Sequence, residues 1–189
     1  MRRGWITLLA GAALFAGPEA SAQSFQQETL RIPMASAGPR GLEAMLVRPN
    51  EPGRFPLVLI SHGSPRDAER RPKMTPLASE PMAIEFARRG WAAAIVMRRG
   101  YGDSGGGWAE SIKGCANPDY AGAEAAAVAD LRASIDFLSK QPTIDGTRIM
   151  AVGHSAGGMA SVAFTANPRS ALPAVVARWP PIGSARRTG

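Results

Sequence analysis

Cysteine is almost absent: Cys115 is the single one in 189 residues. That excludes an intrachain disulfide and with it any small disulfide-stapled scaffold. Cys115 sits in the loop-like stretch Gly114-Cys115-Ala116-Asn117-Pro118, with no neighbouring base, and reads as a passive thiol. Histidine is nearly as scarce, with only His62 and His154, and no Asp or Glu follows Asp145. These shortages leave few places for a general base or an orienting acid. They also leave no spaced set of ligands for a metal, and no cofactor is expected. Apolar runs are short; the longest, Trp5 to Ala16, falls below an ordinary bilayer span. Aromatics make up 6% of the chain and interleave with no basic helix. The net charge of +7 is therefore assigned to arginines scattered over loops and helix ends, among them Arg70, Arg71, Arg98 and Arg99, and not to a nucleic-acid partner.

The N-terminus reads as a secretory leader. Arg2 and Arg3 precede the apolar run, and Ala20-Ser21-Ala22 is a small-x-small cleavage pattern, which predicts a signal peptide over 1–22. The mature protein is then expected to be exported, periplasmic or secreted, with no membrane partner after cleavage.

Beyond the leader, strand and helix patterns alternate. Residues 28–34 and 42–48 predict two strands joined by a turn around Gly38–Gly41. Leu57–Ile60 and Ala92–Met97 are continuous apolar runs, as expected of strands covered on both faces. A helix is predicted over 79–89, burying Met82, Ala83, Phe86 and Ala87. A second is predicted over 122–139, where Ala125, Val128, Leu131, Ile135 and Leu138 recur at helical spacing until Pro142 stops it. Ile144–Arg148 reads as a turn, Ile149–Val152 as a strand and Ala174–Ala177 as the last one. This alternation predicts a doubly wound, mainly parallel α/β sheet opened by an antiparallel pair. A single domain over 23–177 is expected, flanked by an unstructured tail, 178–189.

Chemistry concentrates where the strand Ile149–Val152 ends. Gly153-His154-Ser155-Ala156-Gly157 is a Gly-x-Ser-x-Gly nucleophile elbow between an apolar strand and a helix-compatible segment. A turn that tight requires nearly side-chain-free neighbours, hence Gly153 and Gly157. It would present the Ser155 hydroxyl above the sheet, at the positive end of the next helix.

Two more landmarks accompany the elbow: Ser61-His62-Gly63-Ser64 after the third strand and Arg99-Gly100-Tyr101-Gly102-Asp103-Ser104-Gly105 after the fourth. In this order the chain resembles the α/β-hydrolase superfamily, most closely the dienelactone-hydrolase-related and prolyl-oligopeptidase-related esterases and peptidases, over residues 28–178. The resemblance implies a serine hydrolase acting on small carboxylic esters or peptides through an acyl-enzyme on Ser155. It further implies an oxyanion hole made by the N–H groups of Ala156 and Ser64, with Gly63 allowing close approach. The superfamily's acid and histidine come later in the chain than any Asp, Glu or His present here. His154, inside the elbow, is expected to project away from the nucleophile, and His62 to have a structural hydrogen-bonding role.

An intact elbow without a following acid or histidine predicts a hydrolase sheet incomplete at its C-terminus, truncated by a frameshift or premature stop and impaired in turnover. A non-catalytic exported binding protein on the same fold is the alternative. Gly100–Gly105 also matches the dinucleotide pattern Gly-x-Gly-x-x-Gly. No helix opens directly after it, so the long loop 100–119 is expected to be a flexible rim of the active site.

Overall fold

In the computed structural model, residues 24–114, 116–166 and 174–178 are described. The predicted leader 1–22, Cys115 and the tail beyond Arg178 lie outside the described residues.

Strand β1, Phe25–Ile32, runs antiparallel to β2, Leu42–Pro49, from Phe25 opposite Pro49 to Ile32 opposite Leu42. The predicted turn between them is a short 3-10 helix, Ala35–Arg40, kinked at Gly38. β3 (Phe55–Ser61), β4 (Ala92–Val96), β5 (Ile144–His154) and β6 (Ala174–Arg178) complete a six-stranded sheet in the order β1-β2-β4-β3-β5-β6. Only the β1–β2 and β2–β4 pairs are antiparallel; β3–β4, β3–β5 and β5–β6 are parallel. The doubly wound, mainly parallel sheet read from the sequence is the one observed.

The α-helices among the described residues are α1 (Glu80–Ala87), α2 (Tyr120–Leu138) and α3 (Ala156–Thr165). They explain why Leu57–Ile60 of β3 and all of β4 are apolar. On one face Leu57, Leu59, Ala92, Ala94 and Val96 pack with Leu131 and Leu138 of α2 and Phe164 of α3. On the other face Val58, Ile60, Ala93 and Ile95 meet Ala83 and Ala87 of α1. A strand buried on both faces cannot alternate polar and apolar residues.

Several boundaries differ from the sequence reading. β5 begins at Ile144, so the predicted turn Ile144–Arg148 is strand, paired with Phe55 and Pro56 across a register shift before Leu57. Met82 is exposed instead of buried. The buried face of α2 is Ala127, Asp130, Leu131, Ser134 and Leu138, while Ala125 is exposed. The face is rotated because Asp130 is drawn inward by Arg99, whose backbone N–H and Nε donate to its carboxylate at 2.8 and 2.6 Å. The Ser134 hydroxyl stays buried by donating to the Asp130 carbonyl at 2.7 Å.

Because β4 lies on one side of β3 and β5 on the other, the chain reverses its direction of winding at β3. In open α/β sheets, ligands bind beyond the carboxyl ends of strands at such a reversal. Here those ends carry His62–Ser64 and the elbow.

Candidate active site

β5 ends at His154 and α3 begins at Ala156, so Ser155 is the whole turn. Its backbone lies at φ 52°, ψ −122°. Ser155 and Lys113 are the only non-glycine residues with positive φ among the described residues. An L-residue held there stores about 1–3 kcal/mol of strain, which persists only when the surrounding packing imposes it.

The flanking glycines supply that packing. A Cβ on Gly153 would overlap the Gly157 carbonyl and come within 2.6 Å of the Gly158 nitrogen. A Cβ on Gly157 would overlap the Ser61 carbonyl oxygen and lie 2.5 Å from that of His62. The first turn of α3 is thus pressed backbone to backbone against the end of β3. On the other side, a Cβ on Gly63 would lie 3.2 Å from that of Ser155 and 3.1 Å from the His154 ring. The loop after β3 and the elbow are therefore in contact at the nucleophile.

Ala156 is the first helical residue, where the helix offers its N–H no acceptor; the first intrahelical bond runs from Met159 N–H to the Ser155 carbonyl at 3.0 Å. Among the described residues no backbone carbonyl takes the Ser64 N–H. Both amides predicted for the oxyanion hole are free for a ligand. Ser155, Gly63 and Ser64 line an open cleft of about 940 Å³ that extends to Met74 and Met82 and is rimmed by Arg70 and Lys73.

A buried polar network that the sequence reading missed lies behind the β3 loop. Arg98 is fully buried. Its Nε donates to Glu110 Oε1 and its Nη2 to Oε2 at 3.1 Å. Its Nη1 donates to Ser61 Oγ at 2.7 Å and the His62 carbonyl at 2.8 Å. The Tyr101 hydroxyl lies 3.2 Å from Glu110 Oε2 and 2.9 Å from Ser64 Oγ, and accepts from Trp108 Nε1 at 3.1 Å. A carboxylate only accepts, so Tyr101 donates to Glu110 and the Ser64 hydroxyl donates to Tyr101. Burial, then the neighbouring Glu110 charge, push the Tyr101 hydroxyl above its ordinary pKa and keep it protonated. The loop carrying Ser64 is thereby anchored to β4 and to residues 101–110. One signal was present in the sequence: a charged residue continuing directly from a wholly apolar strand, as Arg98 does, must be buried with a partner. The partner, in a loop without periodicity, had no such signal.

His62 has the structural role expected of it. Its Nδ1–H donates to the Gly63 carbonyl at 2.9 Å, and its Nε2 accepts the Arg98 backbone N–H at 3.1 Å. Both nitrogens are occupied and the tautomer is fixed. Desolvation, then the Arg98 charge, hold its pKa well below 6.5, so the folded protein keeps His62 neutral. Unfolding releases a histidine of ordinary pKa, which takes up a proton that the folded form refuses. The His62 contribution to stability is thus constant above about pH 6.5 and shrinks as the pH falls below it. We expect the melting temperature to decline from pH 6.5 to 5, with a shallower decline in His62→Asn; equal slopes would show that His62 is not the proton acceptor.

His154 is exposed. Among the described residues neither histidine hydrogen-bonds to the Ser155 hydroxyl, and no three His, Cys, Asp or Glu side chains form a metal-ligand group.

The first part of the glycine-rich loop is packed against its neighbours. The Gly105 N–H donates to the Gly41 carbonyl at 2.8 Å, Ser104 Oγ donates to the Met97 carbonyl at 2.6 Å, and a Cβ on Gly105 would overlap the Ala37 carbonyl. Gly105 and Gly106 pack against the β1–β2 connection, and among the described residues no helix opens between this loop and Tyr120 to receive a dinucleotide phosphate.

The sequence model of the X-Pro dipeptidyl-peptidase family, S15, matches residues 39–187. No curated protein matches the chain. A candidate dienelactone hydrolase from Klebsiella pneumoniae shares the fold at a TM-score of 0.57 and 17% identity, over 82% of this chain and 59% of its own. An aminopeptidase from a marine-sediment Thaumarchaeota archaeon does so at 0.55 and 21%, over 89% of this chain and 27% of its own. A dienelactone hydrolase-like promiscuous phosphotriesterase from metagenomic libraries gives 0.55 and 21%, over 80% and 57%. At such identities the likeness is one of fold, the α/β-hydrolase fold. The chain spans 59% or less of the length of each.

Proposed function

This chain belongs to the X-Pro dipeptidyl-peptidase (S15) family of α/β-hydrolases, and from that premise we propose that Ser155 is the nucleophile of acyl transfer from small carboxylic esters or peptides. The observation that supports this most is the strained Ser155 backbone, at φ 52°, with the Gly63–Ser64 loop packed directly against it. Packing at Gly153 and Gly157 holds Ser155 in this conformation, and presentation of a hydroxyl is what such a strained turn would serve. The Ala156 and Ser64 amides would receive the oxyanion, each contributing about 3 kcal/mol to the transition state.

Among the described residues no group is placed to act as base for Ser155, and we expect these residues alone to turn over slowly. The two histidines of the chain do not serve Ser155: His62 is neutral with both nitrogens engaged, and His154 precedes the nucleophile on the strand. Loss of the base from a serine triad lowers kcat by about 10⁴–10⁶-fold. An elbow and an oxyanion site without a base still react with strong electrophiles.

A fluorophosphonate probe tests this. The chain is expected to gain one phosphonyl group, slowly, on the peptide containing Ser155, and Ser155→Ala to gain none. An unlabelled chain, or equal labelling of Ser155→Ala, would overturn the nucleophile assignment and favour a binding protein on a hydrolase fold.

A further inference from the structure

Tyr101 stands between the first two glycines of the Gly100–Gly105 stretch. Its side chain is fully buried, although it extends from a loop and not from a strand or helix. The residues on either side explain how. Gly100 and Gly102 have φ of 79° and 54°, in the left-handed region that favours glycine. A Cβ on Gly100 would overlap the Trp108 Cα, and one on Gly102 would lie 2.5 Å from Glu43 Oε2 and 2.8 Å from the Met74 carbonyl oxygen. Two residues without side chains thus let the chain turn sharply on both sides of one large ring. That ring packs edge-on against the His62 ring, with centroids 4.5 Å apart.

The turn delivers the Tyr101 hydroxyl to Ser64 Oγ at 2.9 Å, Glu110 Oε2 at 3.2 Å and Trp108 Nε1 at 3.1 Å. Its proton goes to the carboxylate, so the Ser64 hydroxyl donates its own to Tyr101. Ser64 carries two donors, a backbone N–H and a hydroxyl. Tyr101 takes the second, which leaves the first for a ligand.

We propose that Tyr101 is a positioning residue of the oxyanion site: by holding the Ser64 hydroxyl, it fixes which Ser64 donor faces Ser155 and where that amide stands. The inference rests on the assignment of Ser155 and deepens it. It also gives the Gly-Tyr-Gly turn a part in acyl transfer. Donors stabilise an oxyanion best when they need no rearrangement as the charge develops. A serine on a loop has three staggered side-chain positions open to it, and its bond to Tyr101 selects one. Tyr101 is fixed in turn by Glu110, and Glu110 by the buried Arg98 guanidinium. Every link from that guanidinium to Ser64 is a hydrogen bond between groups in or beside the wall of the site.

Fluorophosphonate labelling of Ser155 over a range of probe concentrations tests this, with urea unfolding to show that each variant is folded. Tyr101→Phe keeps the ring and removes the hydroxyl. It should lower the maximal labelling rate by roughly 10–10²-fold, up to the typical result of an ångström of misplacement, with the half-saturating probe concentration unchanged. Ser64→Ala removes the other end of the same bond and keeps the amide. It should slow labelling by a similar factor, and the double variant by no more than either single change. Ser64→Thr, which keeps a hydroxyl, should label much faster than Ser64→Ala. Both Ser64 variants leave the buried ring in place, so equal rates in the two would overturn the proposal even if Tyr101→Phe does not fold. Losses that multiply in the double variant would also overturn it. So would a loss of about 10²–10³-fold in Ser64→Ala beside a parental rate in Tyr101→Phe, since the Ser64 hydroxyl would then be the oxyanion donor itself. A parent that takes no label sinks the nucleophile assignment and this role together, whereas a labelled parent matched by Tyr101→Phe sinks the positioning role alone.

Discussion

Glu110→Ala is expected to lower the unfolding free energy by about 3–5 kcal/mol, the usual cost of leaving a buried charge without its partner. Arg98 is fully buried, and Glu110 supplies two of its four hydrogen bonds. The guanidinium cannot shed its proton to relieve the desolvation. Of an ordinary stability of about 5–15 kcal/mol, such a loss is a large share. Urea unfolding reads it as a fall in midpoint at constant slope. The double variant Arg98→Met, Glu110→Leu should recover part of the loss, because an apolar pair of similar volume carries no desolvation cost. If Glu110→Ala unfolds within 0.5 kcal/mol of the parent, roughly the effect of an ordinary surface change, the ion pair is not holding the β3 loop. The pair also anchors Tyr101, and through it Ser64. Glu110→Ala should therefore slow phosphonylation of Ser155 even where the protein remains folded.

Gly157→Ala is the second large effect. The added methyl would overlap the Ser61 carbonyl oxygen and sit 2.5 Å from that of His62, backbone atoms at the buried end of β3 and just after it. Neither can retreat, so α3 must move away from β3. The expected cost is about 1–3 kcal/mol or more. The accompanying shift of Ser155 against the Ser64 loop should slow its labelling by about 10²-fold, the typical result of an ångström of misplacement. Gly107→Ala is the control, since its Cβ would enter open space; it should match the parent in melting temperature and labelling. Full labelling of Gly157→Ala at parental stability would contradict the close packing described for the elbow.

The architecture and the place of Ser155 in the elbow were legible along the chain. Continuous apolar strands at 57–60 and 92–97, a helix stopped by Pro142, and Ser155 between two glycines follow from local rules: burial on both faces, helical spacing and backbone crowding. Those rules act between neighbours in the chain, so they can be read along it. Tertiary structure alone decided the rest. Arg98 and Glu110 are close in sequence, but Arg98 also holds Ser61 and His62, and Tyr101 reaches Ser64, across thirty-six or thirty-seven positions. The turn of α2 that buries Asp130 is set by Arg99, not by the apolar spacing of the helix. Gly105 and Gly106 of the glycine-rich loop pack against Ala37 and Gly41, partners that the Gly-x-Gly-x-x-Gly pattern does not name. In each case the deciding partner comes from another element, and a polar group's partner is fixed by where the fold brings it, which no periodicity encodes.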